Sequence, residues 1–166
     1  MADLSKILPH RYPMLLVDEV LDISPGERIT ALKSVSRNEP WYRDHVDGPY
    51  PEVLLVESWA QAAGLILGVE QPDPDGRHVR VGLLDPDVPA GQVMLLGSLA
   101  GIEFHRRVLP GDVLEHRVRV SRAIGETVIF EGECVVRGEL VFTVSKMVVA
   151  YRPAEQLRAA TGGHDH

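Results

Sequence analysis

Cysteine is almost absent from this chain. Cys134 is the one cysteine among 166 residues, so no disulfide can form within the chain, and no apolar leader precedes Asp3; a reducing, cytoplasmic setting is expected. Positive charge is scarce too: 17 Lys and Arg stand against 24 Asp and Glu, a formal charge of -7. That balance argues against nucleic acid as a partner, because phosphate backbones reward a clustered positive surface. No spacing among the histidines resembles a zinc site, and no second cysteine is there to help. No glycine-rich phosphate loop follows a strand and opens a helix, and Gly-x-Ser-x-Gly is missing. The sequence thus offers no support for metal, cofactor, nucleotide or serine-hydrolase chemistry. A long uncharged run is lacking as well. The most apolar stretch, 53–69, is interrupted by Glu57 and Gln61 and falls short of the roughly 20 residues that a membrane span needs.

What is there is a helix apolar on almost every side. Residues 51–70 place Pro51 at the expected first helical position and Glu52 at the positive end of the dipole, and a helix greasy all round must be buried. Glu57, Gln61, Gly64 and Gly68 share one stripe at spacings of four, three and four. With 45% hydrophobic residues the chain is long enough for one domain with a real core. That domain is expected over 1–151, with a flexible tail over 152–166.

Around the helix the chain reads as strands. Leu15 to Ile23 and Arg28 to Val35 flank the turn Ser24-Pro25-Gly26-Glu27 as a hairpin. Residues 36–50 form a structured loop containing His45, and Gln71–Gly76 is a breaker. A short strand follows at His78 to Leu84. Val93 to Val108 is one long extended segment with Gly97 and Gly101 as bending points. Leu114, His116, Val118 and Val120 then alternate with Glu115, Arg117, Arg119 and Ser121, the period of a sheet with one wet face. Thr127 to Val136 and Leu140 to Tyr151 complete a meander. The fold class is α+β, a strongly curved antiparallel sheet wrapped around one long central helix.

Two residues stand out for chemistry. A carboxylate at Glu57, inside a buried helix, is costly unless paired or protonated, and burial raises its affinity for a proton. The bland alternative is a structural ion pair, or a helix face that meets water. His45, flanked by Asp44 and Asp47, is by itself a surface-loop histidine. Taken with Glu57 it makes an acid/base pair able to remove and deliver a proton near neutral pH.

The run Leu8-Pro9-His10-Arg11-Tyr12-Pro13-Met14-Leu15-Leu16-Val17-Asp18, then Asn38-Glu39-Pro40, then His45 through Gln61, resembles the (3R)-hydroxyacyl-acyl carrier protein dehydratases of the hot-dog fold. Leu99–Ile102 with Phe104, and Arg106 to Asp112, fit the family's third strand and turn, so the resemblance spans about residues 6–151. It implies a homodimer joined through its sheets, with a hexamer built as a trimer of dimers left open. His45 from one subunit and Glu57 from the other would be the catalytic pair, with Gly48, Glu52, Val53 and Gln61 binding substrate. The implied reaction removes water from a 3-hydroxyacyl thioester, carried by acyl carrier protein or coenzyme A, to give a trans-2-enoyl thioester in fatty-acid or polyketide-like biosynthesis. An acidic carrier calls for a local basic patch, and Arg106, Arg107, Arg77 and Arg80 are its candidates.

The chain departs from the family's pattern at this loop. It has Asp44-His45-Val46-Asp47-Gly48 and then Pro51-Glu52, where most members have Gly-His-Phe-Pro-Gly and then Pro-Gly before the helix, so the connection is two residues shorter and the site loop is remodelled. One fold hosts several chemistries. A hot-dog acyl thioesterase and a non-catalytic acyl-binding or assembly subunit therefore stand as alternatives.

Overall fold

The computed structural model describes residues 4–43, 47–68, 70–72, 78–80 and 92–153. In chain order it contains β1 (Glu19–Ser24), β2 (Arg28–Ser34), α1 (Glu52–Gly68), β3 (Glu70–Pro72), β4 (His78–Arg80), β5 (Gln92–Phe104), β6 (Val113–Ile124), β7 (Thr127–Val136) and β8 (Glu139–Pro153). Six strands form one sheet in the order β1-β2-β6-β7-β8-β5, and every neighbouring pair is antiparallel. β3 and β4 make a separate ribbon.

The helix lies against the sheet because both present apolar rows there. Leu55, Trp59, Ala62, Ala63, Leu65, Ile66 and Leu67 of α1 are buried against Ile29 and Ala31 of β2 and Leu114 and Val118 of β6. Each large side chain removed from water contributes about 1.5–3 kcal/mol, which explains why a helix with few surface charges is stable in this setting. The expected alternation in β6 holds: Leu114, His116 and Val118 are buried while Arg117, Arg119 and Ser121 are exposed. One helix cradled by an antiparallel sheet is the hot-dog arrangement. Among the described residues, no helix is long and apolar enough to cross a membrane.

Several boundaries shift, each for a local reason. The first strand begins at Glu19 instead of Leu15, because the backbone of Leu16 turns to the helix. Its N–H donates to Gln61 Oε1 at 2.8 Å and its carbonyl accepts from Ser58 Oγ at 2.7 Å, so it is unavailable to a neighbouring strand. β5 stops at Phe104 instead of Val108, since His105 and Arg106 both direct their N–H groups at the Val141 carbonyl as the chain turns away. Pro51 stands just before the helix, its carbonyl accepting the N–H groups of Leu54 and Leu55, and the helix ends at Gly68. The long strand is irregular at Gly97, where its register with β8 slips. At Gly101 φ is +61°, and a Cβ there would come within 2.6 Å of Ser145 Oγ. β8 runs on to Pro153; the remainder of the expected tail lies outside the described residues, as do residues 81–84 of the short strand.

Candidate active site

The polar stripe of α1 is covered by the segment that opens the chain. Ile7 packs onto Gly68 so closely that a Cβ there would meet Ile7 Cγ2 at 2.5 Å. Residues 9–16 then run along the helix past Glu57, Ser58 and Gln61. Gln61, 2% exposed, is the anchor. Its Oε1 accepts from Leu16 N, while its amide nitrogen donates to the Met14 carbonyl at 2.7 Å and to Glu57 Oε1 at 2.9 Å. A backbone N–H can only donate and a carbonyl can only accept, so these two neighbours fix which end of the amide faces Glu57.

Glu57 is about one-third exposed, at 36%, and His10 Nε2 lies 3.3 Å from the same Oε1 atom. The sequence expectation of a carboxylate alone inside grease is therefore corrected: the helix presents Glu57 at the margin of the core, with Gln61 one turn on and His10 across from it. Among the described residues, Oε2 has no partner. Among those residues, one side of the carboxyl is held and the other meets none.

Next to this cluster lies a fully buried pair. Ser58 Oγ is 2.7 Å from His116 Nε2 and 2.7 Å from the Leu16 carbonyl. The carbonyl needs the hydroxyl hydrogen, so His116 Nε2–H donates to Ser58 Oγ, and Nδ1, which has no partner among the described residues, is left with only a lone pair. Burial, aided by the positive charge of Lys33, pushes His116 down to about 3, keeping it neutral. With 0% exposure, this Ser–His pair is sealed from substrate and ties β6 to the helix.

A second buried cluster holds the approach to the helix. Glu39 takes Lys33 Nζ at 3.1 Å and the Ser36 N–H at 3.0 Å on one oxygen, and the Tyr50 hydroxyl at 3.1 Å on the other. Burial and the Glu39 carboxylate push the Tyr50 phenol far up. Tyr50 N also donates to the Val108 carbonyl, so the residue before Pro51 is fixed from two sides. Just beyond, Glu52 and Val53 open the helix, Val53 at 72% exposure. The amides of Glu52 and Val53 precede the first helical hydrogen bonds, which Leu54 and Leu55 donate, so this is the positive end of the dipole.

The predicted site residues are thus partly assembled. Glu57 and Gln61 meet directly, Glu52 and Val53 lie at the start of the same helix, and Gly48 sits two residues before Tyr50. His45 lies outside the described residues. Asp47, expected beside it, is 3.7 Å from Arg37. Of the proposed basic patch, Arg106 is committed to Asp112 at 2.8 Å and Glu139 at 3.2 Å, which pins the Val108–Asp112 turn to β8, so that residue is a structural ion pair. Arg107 is exposed; Arg77 and the side chain of Arg80 lie outside the described residues. A hollow of about 550 Å3 on the outer face of the sheet is lined by Arg28, Thr30, Arg117, Arg119, Glu131 and Glu133. Its guanidinium groups pair with Asp22, Glu131 and Glu133, and it lies across the sheet from Glu57. Sequence reasoning passed over His10, Ser58 and Glu39 as partners. Their contacts span up to 58 residues, although His10 and Glu39 both fall within the motifs that carry the resemblance.

A family model described as the FabA-like domain matches residues 8–145. The chain belongs to the FabA-like family. The matched span contains both the covering segment and the helix it covers. Among curated relatives, the 3-hydroxyacyl-[acyl-carrier-protein] dehydratase FabZ of Cereibacter sphaeroides is 39% identical over 139 residues, covering 82% of this chain and 81% of that one. The enzyme of the same description from Ruminiclostridium cellulolyticum is 37% identical over 156 residues, covering 87% and 96%. Among solved structures, the dehydratase heterocomplex ApeI:P from Xenorhabdus doucetiae aligns at a TM-score of 0.74 and 18% identity, covering 97% of this chain and 98% of that one. A Thermus thermophilus thioesterase superfamily member aligns at 0.58 and 16%, covering 85% and 92%. At those identities the two structures speak to the fold, and a FabA-like dehydratase family member is expected to have it.

Proposed function

We propose that this chain dehydrates 3-hydroxyacyl thioesters presented on acyl carrier protein, releasing the trans-2-enoyl thioester and water. The observation that carries the reading is Glu57: a carboxyl held at one oxygen and, among the described residues, open at the other, on the central helix of a chain 39% identical to a named dehydratase of this class.

His45 of the neighbouring subunit removes the α-proton of the acyl chain, and the electron pair moves toward the thioester carbonyl. The N–H groups at the start of α1 lie at the positive end of the helix dipole, suited to charge growing on that oxygen. Glu57, as the neutral acid, gives its proton to the departing 3-hydroxyl, which leaves as water. The returned proton on His45 and the ionised Glu57 then exchange with solvent to reset the pair. Gly48, Glu52 and Val53 frame the thioester, and the Glu52 side chain turns outward, where it is exposed, away from the developing negative charge. The shortened connection from His45 to Glu57 tunes which acyl chain is accepted.

This chemistry needs two chains. β5 is an edge strand of 13 residues that leaves Leu95, Leu96 and Phe104 open to solvent, and a long apolar edge invites pairing with a second copy.

A panel of 3-hydroxyacyl thioesters on carrier protein and on coenzyme A, read by mass for loss of water against release of free thiol, tests the proposal. Water loss is expected, and His45→Ala and Glu57→Gln should each slow it by on the order of a hundredfold or more. Hydrolysis without enoyl product would replace the dehydratase with a thioesterase, and no turnover by the purified protein would leave an acyl-binding subunit.

A further inference from the structure

Among the described residues, Glu57 has two side-chain contacts, and both fall on the same oxygen. Gln61 Nε2 is 2.9 Å from Oε1, and His10 Nε2 is 3.3 Å from it. His10 Nδ1 is buried and, among the described residues, meets neither donor nor acceptor. A ring carrying its hydrogen on Nε2 leaves Nδ1 as a bare lone pair, whereas the other tautomer would bury an unsatisfied N–H and face a lone pair at the carboxyl, so the contact favours Nε2–H directed at Glu57. The backbone around the ring is fixed as well. Arg11 donates to the carbonyls of Leu8 and His10, Met14 and Leu15 donate back to the Arg11 carbonyl, and Met14 is bound to Gln61. His10 is thus the tip of a loop clamped on both sides.

We infer that His10 is a positioning residue: with Gln61 it holds Glu57 Oε1 as a permanent acceptor, so that Oε2 alone carries and delivers the acid's proton. This rests on Glu57 being the acid of the proposed dehydration and names which oxygen works. The Gln61 N–H donated to Oε1, with the His10 ring nitrogen 3.3 Å from the same atom, disfavours a hydrogen there, since the O–H would face a donor. The carboxyl is also restrained from rotating about its last bond, so its proton points to one place. Alignment of this kind is worth a large part of a catalytic group's effect, and a misplacement of about 1 Å can cost on the order of a hundredfold. A purely structural role for His10 would show itself in stability and leave the acid's alignment alone.

The test uses the full chain and compares His10→Ala and His10→Gln with wild type. His10→Ala should lower kcat by about ten- to a hundredfold with KM near its wild-type value, at an unchanged thermal midpoint. His10→Gln, which restores an N–H within reach, should recover most of the lost kcat. In parallel, protein labelled with 13C at the glutamate carboxyl is read without substrate, Glu57→Gln assigning the resonance. That signal should move in His10→Ala and return toward its wild-type position in His10→Gln. Wild-type kcat in His10→Ala, or a loss confined to KM, overturns the inference, and so does an unmoved Glu57 signal. Should the wild-type chain fail to dehydrate any thioester, the functional proposal falls by itself, while the carboxyl signal still decides whether His10 holds Glu57.

Discussion

His116 illustrates how a single residue's surroundings set its chemistry. It is completely buried, its Nε2 serves Ser58, and burial together with Lys33 depresses its affinity for protons to a value near 3 from an ordinary 6.5. The unfolded chain therefore binds a proton at this position below pH 6.5 that the folded chain refuses until about pH 3. More protons on the unfolded side means that stability rises with pH across that window. The contribution is whole above about 6.5 and is lost as the pH falls toward 3, at up to about 1.4 kcal/mol per pH unit for one proton. His116→Leu should flatten the measured dependence of unfolding free energy on pH between 6 and 4 by close to one proton's worth. An unchanged slope would mean that the histidine takes its proton while folded. The serine–histidine spacing imitates a nucleophile and base, yet zero exposure makes it a strut. Glu57, the residue just before Ser58, differs because the helix carries it to the margin of the core.

At the scale of elements, the proposed pairing of two chains turns on β5, one of the two edge strands of the sheet. β8 pairs one edge of it, and among the described residues no strand pairs the other. Leu96 is 57% exposed, and substituting a charge that must face its own copy across a two-fold axis should prevent pairing. Leu96→Glu is expected to shift the mass in light scattering from two chains to one and to abolish turnover with it, since the proposed site draws His45 and Glu57 from different chains. A dimer that survives the substitution would move the interface elsewhere. The elements were the most legible part of the sequence. α1 stood out as an apolar run bounded by Pro51 and the 71–76 breaker, and β6 stood out by alternation, because those signals are local. Less was legible where a segment's partners are remote. Leu15 to Val17 have the composition of a strand, yet Leu16 spends both backbone groups on Ser58 and Gln61, 42 and 45 residues away. Nothing near Leu16 announces that.

For the whole molecule, the net charge of -7 sets a constraint on any acidic carrier, which would be repelled on average and must be met by a local exception. Arg106 is occupied with Asp112 and Glu139, leaving Arg107 as the exposed cation beside that turn. Arg107→Glu should raise KM for carrier-bound substrate severalfold while leaving KM for the coenzyme A thioester much less affected, and added salt should blunt the difference. Equal effects on both substrates would take Arg107 out of carrier recognition. The candidate site was legible as types of residue and not as an assembly. Glu57 and Gln61 were visible as neighbours on one helix stripe, while the opening loop that completes their surroundings sits some 47 positions upstream of Gln61 and could be matched to them only in three dimensions.

The strand order has a bearing on how this chain is born. β2 is paired with β6, so the wall that closes over α1 includes residues made long after it. On a ribosome adding about 5–20 residues per second, some seconds elapse between the emergence of Gly68 and that of Val118. Throughout that interval the newborn helix has only the first hairpin and the opening loop to shelter it, and it is then that a folding helper would have the most to do.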